Sequence, residues 1–181
     1  PLIRSATQDL DPFVFVAARF GLAAAAFLPW VLLSAEARAG LRAAALPAGG
    51  LGVLAWSSYQ AQTIGLRTVE AGRGGFITGV SVILVPLMSP LFRAGWPRRI
   101  DLMAAGVATA GMFLLTDPQG GGFSAGDGWI LFCAVGYAAY IHVLQKVMAS
   151  GHDPKAVAFV QIAAVAAMAV LALPWVELEP S

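Results

Sequence analysis

The sequence predicts an all-α integral membrane protein, a bundle of several membrane-spanning helices. Apolar side chains make up 59% of the 181 residues, and charged side chains only 12%. That charged share is about half of what a soluble domain carries. A soluble domain of this length still exposes a large area to water, so it could not hide so many apolar side chains. The charges are moreover collected between long apolar stretches, which makes lipid the expected solvent.

The candidate spans follow from the length that a helix needs to cross the hydrocarbon, about 20 mostly apolar residues. Six stretches approach that length: 13–33, 46–66, 74–92, 102–116, 128–145 and 156–176. The fourth is the shortest, and it has to borrow Ile100 and the neighbouring turn to reach across. Pairs that punctuate helices, such as Asp117-Pro118 and Asp153-Pro154, lie between the spans.

The first span starts at the pair Asp11-Pro12 and contains Arg19. This residue lies seven positions after Pro12, which is roughly 10 Å deep at 1.5 Å per residue. A charge inside the membrane is costly, so it suggests a function by default. Two interpretations stay open. The guanidinium either snorkels back to the interface, or it faces a cavity and attracts anionic groups of a substrate.

The second span holds the densest group of polar side chains. Its members are Trp56, Ser57, Ser58, Tyr59, Gln60, Gln62 and Thr63. Trp56, Gln60 and Thr63 share one helix face at spacing i, i+4, i+7. They are either hydrogen-bonding groups between packed helices or the lining of a wet central cavity. We take Trp56, Tyr59, Gln60 and Thr63 as candidate cavity residues.

The third span contains small residues near its start and prolines near its end. Gly75 and Gly79 form a small-xxx-small pair, which predicts a close contact between two helices. Thr78 lies beside them and either reaches a cavity or bonds back to its own helix. Pro86 and Pro90 are expected to kink or end the helix.

The last two spans add three candidate cavity residues. Tyr137 and Tyr140 follow Cys133 on one stripe of the fifth span, where they either pack or line a cavity. Gln161 in the sixth span is an uncharged amide within the membrane, and we expect it to face the cavity. His142 lies near the end of the fifth span, where a lone histidine is more often structural.

The orientation follows from lysine and arginine in alternate loops. Seven basic residues fall on one side of the membrane and three on the other, with Arg19 inside a span. The positive-inside rule therefore places loops 34–45, 93–101 and 146–155 in the cytoplasm. The expected location of the chain is the inner membrane of a bacterium.

Several classes of function are disfavoured by composition. A net charge of +1 argues against a nucleic-acid partner. One cysteine and two histidines leave no expected metal cluster, and no cofactor-binding motif appears. All ten carboxylates fall in loops or at span ends, and no catalytic motif is present. The sequence therefore does not predict an enzyme.

An internal repeat connects residues 4–21 with residues 146–163. The Asp-Pro pair recurs at an offset of 142 residues, and Gln161 then takes the place of Arg19. Equivalent helices would lie five spans apart, and an odd number inverts the second copy, as in many secondary transporters. We expect a first repeat at 1–118 and the start of a second at 119–181. A complete pair of repeats would need about 290 residues, so this chain would be a fragment.

The residues 61–90 read AQTIGLRTVEAGRGGFITGVSVILVPLMSP and resemble the pattern of EamA-type exporters of the drug/metabolite transporter superfamily. Asp11-Pro12 followed by Arg19 and Phe20 looks like the second helix of that family, and 126–146 is similar to the start of its second repeat. The resemblance implies ten helices in two inverted five-helix repeats around a central cavity. This chain would run from the end of helix 1 to helix 7. It departs from the family at Ser81-Val82, where many relatives have a proline.

The residues and the resemblance together predict transport of small organic metabolites, such as amino acids or related compounds, by alternating access. Export is the expected direction. The expected partners are the lipid bilayer and the small-molecule substrate, and a homodimer is one arrangement that the sequence allows. A membrane scaffold or assembly subunit that transports nothing is the alternative, in which the polar groups only hold helices together.

Overall fold

The computed structural model describes residues 12–116 and 122–173, and its regular structure there is helical. The helices are α1 Pro12–Leu33, α2 Ala35–Leu66, α3 Ala71–Gly79, α4 Ser81–Met88, α5 Arg99–Thr116, α6 Ala125–Ala149 and α7 Pro154–Ala172. Among the described residues, five helical stretches are long and apolar enough to cross a membrane: Phe13–Val31, Ala35–Leu66, Ala71–Met88, Ala125–Ala149 and Pro154–Ala172. This confirms the predicted helical membrane bundle. The predicted fourth span is helical as α5, but it is not among these five.

Helix α2 begins earlier than the sequence analysis predicted. The stretch 34–45 is not a loop, since α2 runs over 32 residues from Ala35. Ser34 starts the helix, because its hydroxyl accepts a hydrogen bond from the backbone N–H of Ala37 at 3.1 Å. Alanine, leucine and arginine dominate the next turns, and these are strong helix formers. A helix of this length spans about 48 Å, so its exposed, charged first turns can lie outside the hydrocarbon.

The third membrane stretch is interrupted at Val80, where α3 ends and α4 begins. The predicted disturbance at Pro86 is not the site of this break, because Pro86 lies within α4. The helix nevertheless ends shortly after it, at Met88. There the backbone N–H of Ser89 bonds to the carbonyl of Pro86 at 3.3 Å, a tightened last turn. Whether Pro86 has a role in motion stays a prediction.

Helices α2 and α6 lie in the middle of the bundle. Helix α2 packs against α1, α6 and α7, and α7 also packs against α1. Helix α6 also contacts α3 and α4, and these two carry α5 on their other side. The helices therefore follow the spatial order α1, α7, α2, α6, α3 with α4, and α5. Polar residues of α2, α6 and α7 thus meet in the interior of the bundle.

Close approach of these helices depends on glycines that the sequence analysis did not select. A Cβ atom on Gly52 would meet the side chain of Ala164 in α7, and one on Gly136 would meet the hydroxyl of Ser58. A Cβ on Gly65 would lie 2.7 Å from the backbone oxygen of Gly126. Small side chains let helix backbones approach in lipid, where packing drives association.

The glycine pair selected from the sequence behaves differently at its two positions. A Cβ on Gly79 would meet the side chain of Met112 in α5, whereas one on Gly75 would meet nothing within 4 Å. The packing role of the pair stays a prediction, with a contact in place only at Gly79 in the described structure.

Candidate functional site

A cavity of about 280 Å³ lies between α1, α2, α6 and α7. Its polar lining is Tyr59, Tyr137, Tyr140 and Gln161, and its apolar lining is Phe20, Ala55, Ile162 and Val165. The chain contains three tyrosines, and all three line this cavity. Convergence of every tyrosine on one space in an otherwise apolar bundle marks it as the candidate site.

The tyrosine rings are brought together by the close contact of α2 with α6. Gly136 lies against Ser58, so the next residue on each helix, Tyr137 and Tyr59, can meet. Their ring centroids are 5.7 Å apart at 77°, and Phe20 adds a contact with Tyr59 at 4.9 Å. Such edge-to-face and tilted pairs are favourable by about 0.5–1.5 kcal/mol beyond their burial. The rings thus form a continuous aromatic wall.

The hydrogen bonds of the cavity leave one amide group free. The hydroxyl of Tyr140 donates to the side-chain oxygen of Gln161 at 2.8 Å. The Nε2 group of Gln161 makes no hydrogen bond within the described part of the chain. The cavity therefore presents an amide donor beside the phenol hydroxyls.

A weaker chain of hydrogen bonds links the cavity to the third membrane stretch. The hydroxyl of Tyr137 donates to the oxygen of Gln62 at 3.4 Å, and the nitrogen of Gln62 donates to the hydroxyl of Thr78 at 3.3 Å. Both distances exceed the usual hydrogen-bond range. The chain still places Gln62, which the sequence analysis did not select, between the cavity and the segment just before the break at Val80.

The remaining candidate residues lie outside the cavity lining. The hydroxyl of Thr63 donates to the carbonyl of Tyr59 at 2.7 Å, and that of Thr78 donates to the carbonyl of Gly74 at 2.9 Å. Both threonines therefore bond to their own helix. Arg19 is exposed, and its guanidinium carbon lies 5.5 Å from the ring centroid of Tyr59.

Gln60 is buried and Trp56 is half-buried, and both have polar atoms without a hydrogen-bond partner among the described residues. Gln60 is 4% exposed, and within that part of the chain neither its amide oxygen nor its amide nitrogen has a partner. The indole nitrogen of Trp56 is also unpaired. An unsatisfied buried polar group costs about 1–3 kcal/mol. This face of α2 is therefore a local source of instability in the fold.

A second cavity of about 690 Å³ lies between α4, α5 and the end of α6. His142 lines it, and its ring is 3% exposed and stacks on Phe92 at 4.8 Å. The Nε2 atom of His142 lies 2.8 Å from the carbonyl oxygen of Val85, so the histidine ties α6 to α4. This contact agrees with the structural interpretation of His142.

An ion pair that no sequence pattern predicted connects the first turns of α3 and α6. Arg73 Nε and Nη2 each donate to one carboxylate oxygen of Asp127 at 2.8 Å. The Asp127 side chain is 1% exposed, and that of Arg73 is 23% exposed. Both residues had been assigned to loops or span ends on one membrane side. Their pairing could be found only by knowing that α3 and α6 are neighbours.

Asp127 is also part of the cap of α6. The hydroxyl of Ser124 accepts from the backbone N–H of Asp127 at 3.2 Å, and the backbone N–H of Ser124 donates back to the carboxylate at 2.7 Å. This arrangement is a capping box. The same carboxylate therefore starts the helix and binds Arg73.

Replacing Ser124 with alanine is expected to lower the free energy of unfolding by about 1 kcal/mol, because the helix loses a cap. The measurement is thermal unfolding of the purified protein in detergent. Ser150→Ala is the matched control, since its hydroxyl bonds only to an exposed carbonyl of Lys146. Equal melting temperatures for the two variants would contradict the capping role.

Comparison with known proteins finds one matching family and one similar protein. The profile of the EamA-like transporter family matches residues 1–117. A protein of Archaeoglobus fulgidus named as an uncharacterized transporter is 30% identical over 144 residues, which cover 80% of this chain and 43% of that protein. The chain thus spans less than half the length of this relative. No solved structure matches the chain. Within the described residues, no group of three or more His, Cys, Asp or Glu side chains could hold a metal ion.

Proposed function

The chain belongs to the EamA-like transporter family, and on that premise we propose that it exports small organic metabolites, such as amino acids or related compounds, by alternating access. The observation that carries this proposal is the cavity among the membrane helices, to which α2, α6 and α7 contribute Tyr59, Tyr137, Tyr140 and Gln161. Pockets of transported or bound small molecules are typically apolar with a few placed polar groups. This cavity has that composition.

The depth of the cavity supports a path through the membrane. Tyr59 lies seven residues before the end of α2, and Tyr140 lies nine residues before the end of α6. These positions are roughly 10 Å and 14 Å from the helix ends. Binding sites near the bilayer midplane between inverted repeats are the plan of many secondary transporters. No covalent chemistry is needed for such a cycle.

The interruption at Val80 gives the proposal a candidate moving part. Val80 keeps helical backbone angles, φ −56° and ψ −23°, and its N–H bonds to the carbonyl of Phe76 at 3.2 Å, so α3 and α4 meet there with little distortion. The weak chain from Tyr137 through Gln62 to Thr78 ends next to this interruption. We propose that this chain of hydrogen bonds couples occupation of the cavity to the arrangement of α3 and α4.

The alternative is a scaffold that transports nothing. It is favoured by the hydroxyl of Thr63, which bonds to a carbonyl of its own helix and lies outside the described lining of the cavity. The transport proposal is favoured by the free amide group of Gln161 and by the unpaired amide of Gln60. A scaffold has no need to keep a costly unpaired amide in its interior.

The transport proposal is tested by flux in vesicles. The protein is reconstituted, and efflux of pooled amino acids and related metabolites is followed for the parent, Tyr137→Leu and Gln161→Leu. Both variants should reduce flux at least about tenfold, because each removes polar groups aimed into the cavity. Phe132→Leu is the control, since Phe132 is 54% exposed on α6. If Tyr137→Leu and Gln161→Leu gave the same flux as the control, both residues would have only a packing role. No flux in the parent would favour the scaffold.

Gln60 provides a separate test of the same proposal. Gln60→Leu is expected to raise the free energy of unfolding by about 1 kcal/mol, because it removes two unsatisfied buried atoms at nearly constant volume. Flux should fall in the same variant if the amide serves the transport cycle. Thermal unfolding in detergent and vesicle flux are measured on the same preparation. A lower stability would show that the amide has partners in the folded protein.

A further inference from the structure

The cavity wall is mostly aromatic. Phe20, Tyr59 and Tyr137 form a ladder of rings from α1 through α2 to α6, with successive centroids 4.9 Å and 5.7 Å apart. Tyr140 adds a fourth ring to the lining. Rings of this kind pair with another ring in offset-stacked or edge-to-face geometry. A flat aromatic solute can therefore continue the ladder.

The size of the cavity restricts the solute. Its volume of about 280 Å³ lies just below the range of small-molecule pockets, which is about 300–1,000 Å³. One ring or two fused rings fit such a space. Dinucleotides and large conjugates do not.

The charges around the cavity favour an anion over a cation. None of the described residues that line it is a carboxylate, a lysine or a histidine. A ligand ammonium group would therefore find no opposite charge, and burying an unpaired charge is costly. The hydroxyls of Tyr140 and Tyr137 already donate to Gln161 and Gln62. The polar donors that remain in the lining are the hydroxyl of Tyr59 and the Nε2 group of Gln161.

Arg19 supplies the positive charge beside this wall. Its guanidinium carbon lies 5.4 Å from the ring centroid of Phe20 and 5.5 Å from that of Tyr59. Within the described structure Arg19 makes no hydrogen bond or ion pair. A stacked guanidinium still offers its N–H edge, and its planar fork matches a carboxylate. The same stacking occupies one face of each of these two rings, which a cationic ligand would otherwise use.

We infer that this cavity binds a planar aromatic monocarboxylate. The ring lies against Tyr59 and Tyr137, and the amide of Gln161 binds one oxygen. The carboxylate extends past the cavity lining to the N–H edge of the exposed Arg19, which lies beside Tyr59. The inference rests on the proposed transport function and narrows its substrate class. It also separates aromatic acids from aromatic amino acids, because the ammonium of the latter finds no carboxylate among the described residues of the lining.

The test is equilibrium binding to the purified protein in detergent, measured by titration calorimetry. The probe is 2-naphthoate. Its comparators are 2-naphthamide, which lacks the charge, 2-naphthyl-trimethylammonium, which reverses it, and cyclohexanecarboxylate, which lacks the aromatic ring. The naphthoate should bind at least about tenfold more tightly than the amide and the ammonium, since a charged hydrogen-bonded pair contributes that much. It should also bind more tightly than cyclohexanecarboxylate, because only an aromatic ring makes the favourable contacts with the tyrosine rings.

Variants then assign the binding to residues. Arg19→Gln should weaken naphthoate about tenfold or more and leave naphthamide within about threefold. Arg42→Gln, an exposed arginine of α2, is the matched control. Tyr59→Leu should weaken both aromatic probes, with Phe132→Leu as its control. If Tyr59→Leu does not fold, Arg19→Lys replaces it, and naphthoate affinity should fall because the planar fork is lost.

The outcomes separate this inference from the transport proposal. Equal or tighter binding of the ammonium probe overturns the inference, and so does an equal effect of Arg19→Gln and Arg42→Gln. Flux of other metabolites without naphthoate binding overturns the inference and leaves transport in place. Naphthoate binding that depends on Arg19, without flux of any compound, supports the site and removes the transport proposal.

Discussion

Arg73→Met is expected to lower the free energy of unfolding by about 3 kcal/mol. The variant leaves the carboxylate of Asp127 without both of its short bonds to the guanidinium, in a position that is 1% exposed. Removing one partner of a buried pair typically costs about 3–5 kcal/mol, because the remaining charge is uncompensated. The value lies at the lower end here, since the Arg73 side chain is 23% exposed and water screens the pair.

The measurement is thermal and denaturant unfolding of the purified protein in detergent. Arg67→Met is the matched control, because Arg67 lies on the connection just before α3 and is exposed. Asp127→Asn should cost less than Arg73→Met, since the amide oxygen can still accept at the helix cap. A double variant, Arg73→Met with Asp127→Asn, should cost less than the two single variants combined. Equal stability of Arg73→Met and Arg67→Met would contradict the importance of the pair.

The exchange of the two charges distinguishes the ion pair from the cap. Arg73→Asp combined with Asp127→Arg restores opposite charges, but an arginine at 127 cannot accept the N–H of Ser124 that the capping box uses. The exchanged protein should therefore stay less stable than the parent. Full recovery would show that the charge pair alone holds α3 against α6.

Much of the fold could be predicted, because apolar length alone identifies a helix that crosses lipid. The limits of the elements were harder to predict, for reasons visible in α2. Its first turns are charged, and the sequence analysis therefore read 34–45 as a loop. Helix formation there depends on the Ser34 cap and on propensity, whereas membrane depth depends on polarity. At this end of α2 the helix therefore extends further than the part of it that lies in the membrane.

The candidate site was predicted unevenly, and all of its assignments stay predictions. Tyr59, Tyr137, Tyr140 and Gln161 were selected as intramembrane polar residues, and the structure brings these four together. Thr63 was selected for the same reason, but its hydroxyl bonds to its own helix. Polarity indicates which side chains need a partner. It does not indicate whether that partner is a backbone carbonyl four residues earlier or a cavity.

Contacts between distant helices could not be read from the chain at all. Gln62 and the pair of Arg73 with Asp127 depend on which helices are neighbours, and no local pattern fixes that choice. The contact glycines are an intermediate case. Ala44, Ala48 and Gly52 repeat at intervals of four residues, a small-xxx-small signal that was present in the sequence and was not used. All three are buried in the fold.

Gly65→Ala and Gly75→Ala are expected to change stability in opposite directions. A Cβ on Gly65 would lie 2.5 Å from the Ile130 side chain and 2.7 Å from the backbone oxygen of Gly126, which cannot rotate away. Overpacking of this kind costs about 1–3 kcal/mol, and the fixed backbone atom places Gly65→Ala near the upper end. Gly75 has open space around it in α3, so alanine there should stabilise the helix by about 0.5–1 kcal/mol.

The two substitutions add the same methyl group within helices, so their difference isolates the contact between α2 and α6. Unfolding in detergent gives the stability of each variant, and vesicle flux shows whether the cavity between these helices survives. We expect Gly65→Ala to lose both stability and flux, because separating α2 from α6 also separates Tyr59 from Tyr137. A Gly65→Ala protein as stable as Gly75→Ala would mean that the helices can move apart freely, and the aromatic wall would then not be fixed by packing.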